Sequence, residues 1–312
     1  MSSMETMQKA KLPKSTKYSS YVGSKKLDTY ELIIICGLTL WAFIIIFPFF
    51  NVIALSFSTD KEYLQTPYMF FPTQPTFKNY QQLMLDRRIL IGYRTTLLYV
   101  LIGVPYNMFL TICTAFALSK DYFPGKKFFL LAIIFTMYFS GGIVPMYLLI
   151  KNLQLVDTMA AIILMYGCNT FYMIVMRNYF LSIPPAMQES AKIDGANEWR
   201  ILFAIMLPLS TPILATFALF FSVDRWNEWF NSMIFIKNPQ ITPLQLVLRS
   251  IIMTASFSQM QDAAGTASEM TIRFAKGMKM CAVIVTMLPI MLVYPFLQKY
   301  FVKGIMIGAV KT

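Results

Sequence analysis

The chain has 312 residues, 57% hydrophobic and 13% charged, with a mean hydropathy of +0.56 and a net charge of +12. Soluble domains carry about 45–50% apolar and about 25% charged residues, so an ordinary soluble domain is excluded. No histidine, no CxxC pair and no GxxxxGK[ST] loop is present, which removes the commonest general base, the usual metal sites and nucleotide binding by the chain itself.

Residues 1–29 are polar and carry six lysines, a basic cytosolic N-terminal segment. An apolar run from about Leu32 to Leu55 follows, too long for a signal-peptide core and without a small-residue cleavage site. It reads as a retained first span, kinked at Pro48. Residues 56–92 are a turn-rich connection. Further apolar runs cover about 95–118, 128–150, 158–176, 211–235 and 276–302. Each is near or above the ~18 residues needed to cross a bilayer. Prolines 105, 145, 212, 289 and 295, with Gly141 and Gly142, read as kinks within spans. The expected architecture is all-α, with a six-helix transmembrane domain over 30–303, a polar outer region at 237–274 and a short tail at 304–312.

Lysines and arginines cluster in the connections between runs. With the N-terminus inside, cytosolic segments hold 15 of them and outer segments 12. Long outer loops count for less, so the basic N-terminus places both ends in the cytosol of a cell-membrane protein. The same placement accounts for the charge without nucleic acid.

One polar stretch, "SIPPAMQESAKIDGANEWRILFAIMLP" at 182–208, interrupts this pattern on the cytosolic side. Ser182 is available to cap a helix that accepts Pro184 and Pro185 in its first turn. Gly195 sits where the chain leaves that helix, and Asn197 can cap a second one running to Pro208. Small Ser190 and Ala191, flanked by Glu189 and Asp194, suit insertion into a cleft of another protein. From the residues alone, an amphipathic helix resting on the membrane is the other reading.

A second polar set, "FFSVDRWNEWFNS" at 220–232, places Asp224, Arg225 and Glu228 in an apolar run. Charges at that depth cost about 2.5–3.5 kcal/mol each, so they face the bundle interior or a watery cavity. The i,i+4 spacing puts Asp224 and Glu228 on one helix face, with Arg225 and Trp229 on another. Trp226 and Trp229 are candidates to stack on sugar rings, with Asn227 and Glu228 bonding hydroxyls. A packed subunit interface or an aromatic belt would use the same residues.

The 182–208 stretch resembles the cytoplasmic loop of the membrane subunits of binding-protein-dependent ABC importers. Its pattern is E-A-A, three residues, G, nine residues, I-x-L-P. Here it is met by Glu189-Ser190-Ala191, then Gly195-Ala196, then Ile205, Leu207 and Pro208, with Ser190 the one departure. The layout of apolar runs, "WNEWF", "TPLQLVLRS" and the ending "YPFLQKYFVKGIMIGAVKT" are similar to the carbohydrate-uptake branch. Within it the chain resembles the maltose-type second permease subunit, and more closely the lipoprotein-associated oligosaccharide permeases of Gram-positive bacteria.

The resemblance implies a type I importer permease with no catalytic residues and no metal or cofactor of its own. ATP and Mg would be bound on two separate ATPase subunits, gripping the loop as a coupling helix. It implies a second, homologous permease subunit, an extracellular solute-binding lipoprotein and a carbohydrate cargo whose internal site lies mainly on the partner permease. It further implies contact of "TPLQLVLRS" with the binding protein, and a tail, with Gly304 and Gly308, reaching the ATPases. Peptide or amino-acid cargo is the alternative within the transport class. A membrane-embedded enzyme or sensor is the alternative outside it.

Overall fold

Apolar residues without a polar face make a helix that needs lipid rather than a protein core, and the first element has that character. In the computed structural model, which describes residues 29–59, 62, 68–165, 167–263 and 278–292, helix α1 runs over Thr29–Ser56. Its 28 residues reach further than the ~30 Å hydrocarbon core at 1.5 Å per residue. Pro48 lies inside it. The chain divides at Phe49 into two units. In the first, residues 29–49 are apolar around the whole helix, and nearly every side chain is exposed. Residues 1–28, and the tail 304–312 with Gly304 and Gly308, lie outside the described residues.

The second unit is built around one long helix. A short α2 (Lys78–Leu85) leads through Asp86 into α3 (Arg87–Ser119), 33 residues long. Asp86 caps α3 by accepting from the Arg88 N–H at 2.9 Å and pairs with the Arg88 guanidinium at 2.7 Å. Then come α4 (Lys126–Tyr138), α5 (Ile143–Asn152), α6 (Met159–Met165) and α7 (Thr170–Ser182). The short α8 (Pro185–Ile193) precedes α9 (Glu198–Leu209), α10 (Thr211–Trp226) and α11 (Phe230–Phe235). A 3₁₀ turn at Pro239–Ile241 opens onto α12 (Leu244–Ala263), and α13 covers Met278–Leu292.

Helix α3 packs against α7, α10 and α12. One core joins its second half (Ala115, Phe116, Leu118) to α7, α9 and α10 through Met173, Phe180, Ile201 and Phe217. A second joins its first half to α12 and α13 through Ile89, Leu244, Val247 and Cys281. Tyr99, Ile162 and Phe235 centre a third with α5, α6 and α11. The start of α12 is fixed to α3 by the buried Thr96 hydroxyl, which accepts from the Leu244 N–H at 2.9 Å.

The expected layout of spans and loops is corrected in three places. The run at 128–150 is two helices bent by 116°, because helical bonding stops at Phe139, whose backbone is extended, and Gly142 turns the chain with φ +84°. The run at 211–235 breaks at residues 227–229, between α10 and α11. The outer stretch 237–274 is not a loop throughout, since α12 occupies 20 residues of it. Among the described residues, α1 and α3 alone are long and apolar enough to cross singly, or five spans if each bent pair counts as one. Helix α13 lies in the sixth expected run, whose end is outside the described residues.

Candidate functional site

The segment 182–208 folds as a helix, a glycine turn and a second helix. Ser182 is not the cap expected for α8. It ends α7, donating its hydroxyl to the Tyr179 carbonyl at 2.7 Å, and Pro184 takes the cap position with Pro185 as the first helical residue. Proline costs little there because the first N–H groups lack helical partners anyway.

The C-terminal end follows the Schellman pattern. The Ala196 N–H donates to the Ala191 carbonyl at 2.9 Å and the Gly195 N–H to the Lys192 carbonyl at 3.0 Å. Gly195 has φ +76°, and a Cβ there would meet nothing within 4 Å. Conformation, not space, selects glycine here. Asn197 caps α9, accepting from the Arg200 N–H at 2.8 Å. Pro208 cannot donate to the preceding turn, and the ladder widens into a π turn at Leu202–Met206 just before it. Helix α9 then meets α10 at 86°.

One side of this segment is free. No residue of α8 is buried: Glu189, Ser190, Asp194 and Gly195 are exposed, Met187 and Lys192 too, and Ile193 is 86% exposed. Ala191 and Ala196 rest against the core, as does Leu207. Ile205 is half-buried and Pro208 exposed.

The inner side is tied to α3 by a cluster that the sequence motif does not announce. Lys120, the residue after α3, reaches the Glu198 carboxylate at 3.0 Å and also the Gln188 amide oxygen, and lies 4.0 Å over the Phe116 ring. Lys192 reaches the other Glu198 oxygen at 2.9 Å and lies 4.5 Å over the Tyr122 ring. Partial burial pulls the Glu198 carboxyl upward, but donation from Tyr122, Lys192 and Lys120 outweighs it and brings the group down to about 2. Burial pulls Lys120 below the ordinary lysine value despite Glu198 beside it. Exposed Lys192 is raised, chiefly by its bond to the same carboxylate. A lysine just past a helix C-terminus and a glutamate in another helix's first turn were visible in the chain. Their pairing, 78 positions apart, was not.

The second site is a cavity of about 630 Å³ between α3, α4, α7 and α10. Asn107, Asn169, Phe171, Asp224, Arg225, Asn227 and Glu228 contribute to its wall. Arg225 is 3% exposed. Its Nε and Nη2 donate to Asn107 Oδ1 at 3.1 and 2.8 Å, while Nη1 and Nη2 donate to the Ile162 and Ile163 carbonyls at 2.8 and 3.1 Å. The guanidinium thus takes up carbonyls at the end of α6. Gly103 makes room for it, since a Cβ there would sit 2.9 Å from Arg225 Nε.

The expected pairing of Asp224 with Glu228 on one helix face is corrected. Helix α10 ends at Trp226 with Asn227 as its cap, so Glu228 lies beyond it. Its carboxylate accepts instead from the Asn231 and Ser232 N–H groups at 2.9 and 3.1 Å, starting α11. Asp224 remains exposed and accepts from the Tyr172 hydroxyl at 3.4 Å. Neither tryptophan is part of the cavity wall. Trp226 is buried in the second core, edge-on to Tyr93, with Nε1 donating to the Thr286 carbonyl at 3.4 Å. Trp229 carries the Arg249 guanidinium 3.9 Å over its ring instead of pairing with Arg225. The aromatic side chain exposed at the wall is Phe171, at the N-terminus of α7. Asn107 and the polar break "GCNT" before Phe171 were the available signals for this wall.

Residues 95–307 match the family described as binding-protein-dependent transport system inner membrane component. The chain is 37% identical to Protein LplC of Bacillus subtilis, over 86% of this chain and 90% of that one. It is 35% identical to the polygalacturonan/rhamnogalacturonan transport system permease protein YtcP of the same organism, over 90% and 98%. Its fold is similar to a chain of a bacterial ABC transporter involved in the import of the acidic polysaccharide alginate. That match has a TM-score of 0.76 and 30% identity, covering 87% of this chain and 96% of the other. The chain belongs to the inner-membrane components of binding-protein-dependent transport systems, as a permease subunit of an ABC importer rather than an enzyme.

Proposed function

We propose that this chain is one permease half of an ATP-driven importer of oligosaccharide or polysaccharide fragments, with 182–208 as its coupling loop. The observation that carries the coupling assignment is the exposed outer face of α8 and the Gly195 turn, backed by a fixed inner face. Glu189, Ser190, Ala191, Asp194, Gly195 and Ala196 lie at this turn, and Ile205, Leu207 and Pro208 root it. A groove on an ATPase subunit would receive the exposed side. The Glu198 cluster would pass movement of α8 and α9 to the end of α3.

Carbohydrate cargo is supported by the names of YtcP and of the alginate importer, both of which handle polysaccharide. In this reading a second, homologous permease completes the pathway, two ATPases hold ATP and Mg, and an external solute-binding lipoprotein delivers the sugar. Both termini then lie in the cytosol, and the tail with Gly304 and Gly308 faces the ATPases. The cavity at Asp224, Arg225, Asn227 and Glu228 is this chain's share of the pathway. Trp226 and Trp229 support it from behind.

The test is retention of the cognate ATPase by the solubilised permease pair, comparing wild type with Gly195→Trp. Tryptophan adds bulk and requires a left-handed backbone disfavoured by about 1–2 kcal/mol. The expected result is loss of the ATPase with the permease pair intact. Equal retention by both would refute the coupling assignment.

A further inference from the structure

The cavity beside Asp224 has a charge character that bears on which sugars can occupy it. Its cationic wall residue is Arg225, and every nitrogen of that guanidinium already donates to Asn107 or to the Ile162 and Ile163 carbonyls. An Arg committed in this way does not form the two-pronged pair by which guanidinium groups recognise carboxylates. Two carboxylates share the wall. That of Glu228 is engaged at the start of α11, leaving Asp224 as the exposed one.

The remaining polar wall groups are amides. Asn169 accepts through Oδ1 from the Tyr172 N–H, and Asn227 accepts through Oδ1 from Gln245 Nε2. Both therefore present their NH₂ groups as donors. With exposed Phe171 beside them, the wall offers an acceptor carboxylate, two amide donors and an apolar ring face. Sugar hydroxyls both donate and accept, and the CH face of a pyranose packs on an aromatic ring. A uronate carboxylate would instead stand against Asp224, and among the described residues of the wall no cation is free to pair with it.

We infer that this cavity binds neutral, hydroxyl-rich saccharide units and discriminates against uronates, with Asp224 as the specificity-determining residue. The inference rests on the transport reading above and deepens it. It separates this chain's cargo from the acidic polysaccharide imported by its structural relative and from the polygalacturonan in the name of YtcP, keeping from both only the saccharide class.

The test uses the complete transporter in lipid nanodiscs, without binding protein, and two probes sharing one backbone. These are tetragalacturonic acid and its fully methyl-esterified, uncharged form. Wild type is expected to bind the ester about tenfold or more tighter than the acid. Because the discrimination is electrostatic and Asp224 is exposed, it should shrink with added salt. Asp224→Asn should narrow the difference and Asp224→Lys should invert it. Unchanged size-exclusion behaviour and ATPase retention would show the variants assembled.

Equal or tighter binding of the acid by wild type overturns the inference. So does a preference indifferent to Asp224, or no binding of either probe at about 10 mM, weaker than ordinary specific recognition. The transport reading fails by a different measurement, loss of ATPase retention by the wild-type permease pair, so the two failures are distinguishable.

Discussion

Two charged clusters tie helices of this molecule to one another, and they solve the same problem in opposite ways. Around Glu198, two lysines and a tyrosine converge on one carboxylate, so charge meets charge. Around Arg225, the guanidinium's hydrogen bonds run to the Asn107 amide and to carbonyls at the end of α6, which are neutral dipoles. The Glu198 side chain is 40% exposed, so water shares the solvation of that cluster. Arg225, at 3% exposure, has no such share. A charge so placed persists only if nearly every donor finds a protein acceptor. The cluster near water can change partners at small cost and so suits a moving joint, whereas the buried one suits a fixed strut.

That contrast is broken most directly at Arg225. Arg225→Met withdraws these donors from Asn107 Oδ1 and from two carbonyls at depth. The charge leaves with the side chain, so the cost is that of the buried neutral acceptors left behind, about 1–3 kcal/mol each. The thermal midpoint of the solubilised permease pair should fall by many degrees, and an unchanged midpoint would mean the strut carries no load. Gly103→Ala attacks the same strut from behind, because its Cβ would lie 2.9 Å from Arg225 Nε. Overpacking of this kind costs about 1–3 kcal/mol. The same melt should show a smaller fall, and combining it with Arg225→Met should add little, since the clashing side chain is gone.

The contrast also explains what the sequence disclosed. The 182–208 segment was legible because its determinants are local. Gly195 closes a helix begun ten residues earlier, and Asn197 caps the next, so spacing alone shows both. The apolar runs were legible for the same reason, as stretches of one composition. The break at 227–229 was not, and at 139–142 the two glycines announced a kink but not a bend of 116°. Asn227 and Glu228 sit in a run whose period continues past them, and nothing in that period shows the Glu228 carboxylate capturing the Asn231 and Ser232 N–H groups to start a new helix. Spacing put Glu228 on a face with Asp224 by assuming an unbroken helix. It put Trp226 and Trp229 near cargo because nothing in the chain announces Thr286 and Arg249 as their partners. Asn107 and Arg225, 118 positions apart, and Lys120 and Glu198 are likewise long-range facts.

At the joint the expected effects are smaller. Asn197→Ala removes the side-chain oxygen that accepts from the Arg200 N–H, a loss of about 1 kcal/mol for an N-cap. Its clearest signature would be faster amide exchange confined to the first turn of α9. Exchange spread equally through α7 and α10 would show instead that the cap supports the whole bundle.

The smallest effect is the most informative about how the joint works. The Glu198 carboxyl is held at about 2, below its ordinary value of 4.5. A depressed carboxyl contributes stability that is present above the unfolded value and is lost as pH falls through the folded one. Wild type should therefore lose the contribution of this cluster between about pH 4.5 and pH 2, a component of the fall that Glu198→Gln should lack. At neutral pH the variant should be less stable by at most about 1 kcal/mol, since half-exposed ion pairs are worth little. The two stability curves, measured by chemical denaturation of the solubilised permease pair, should converge as the pH falls toward 2. Convergence would identify Glu198 as the charged centre that fastens α8 and α9 to the end of α3. Parallel curves would show that Gln188 and the Phe116 ring hold Lys120 without it. The joint would then be one of packing, and salt should leave it unmoved.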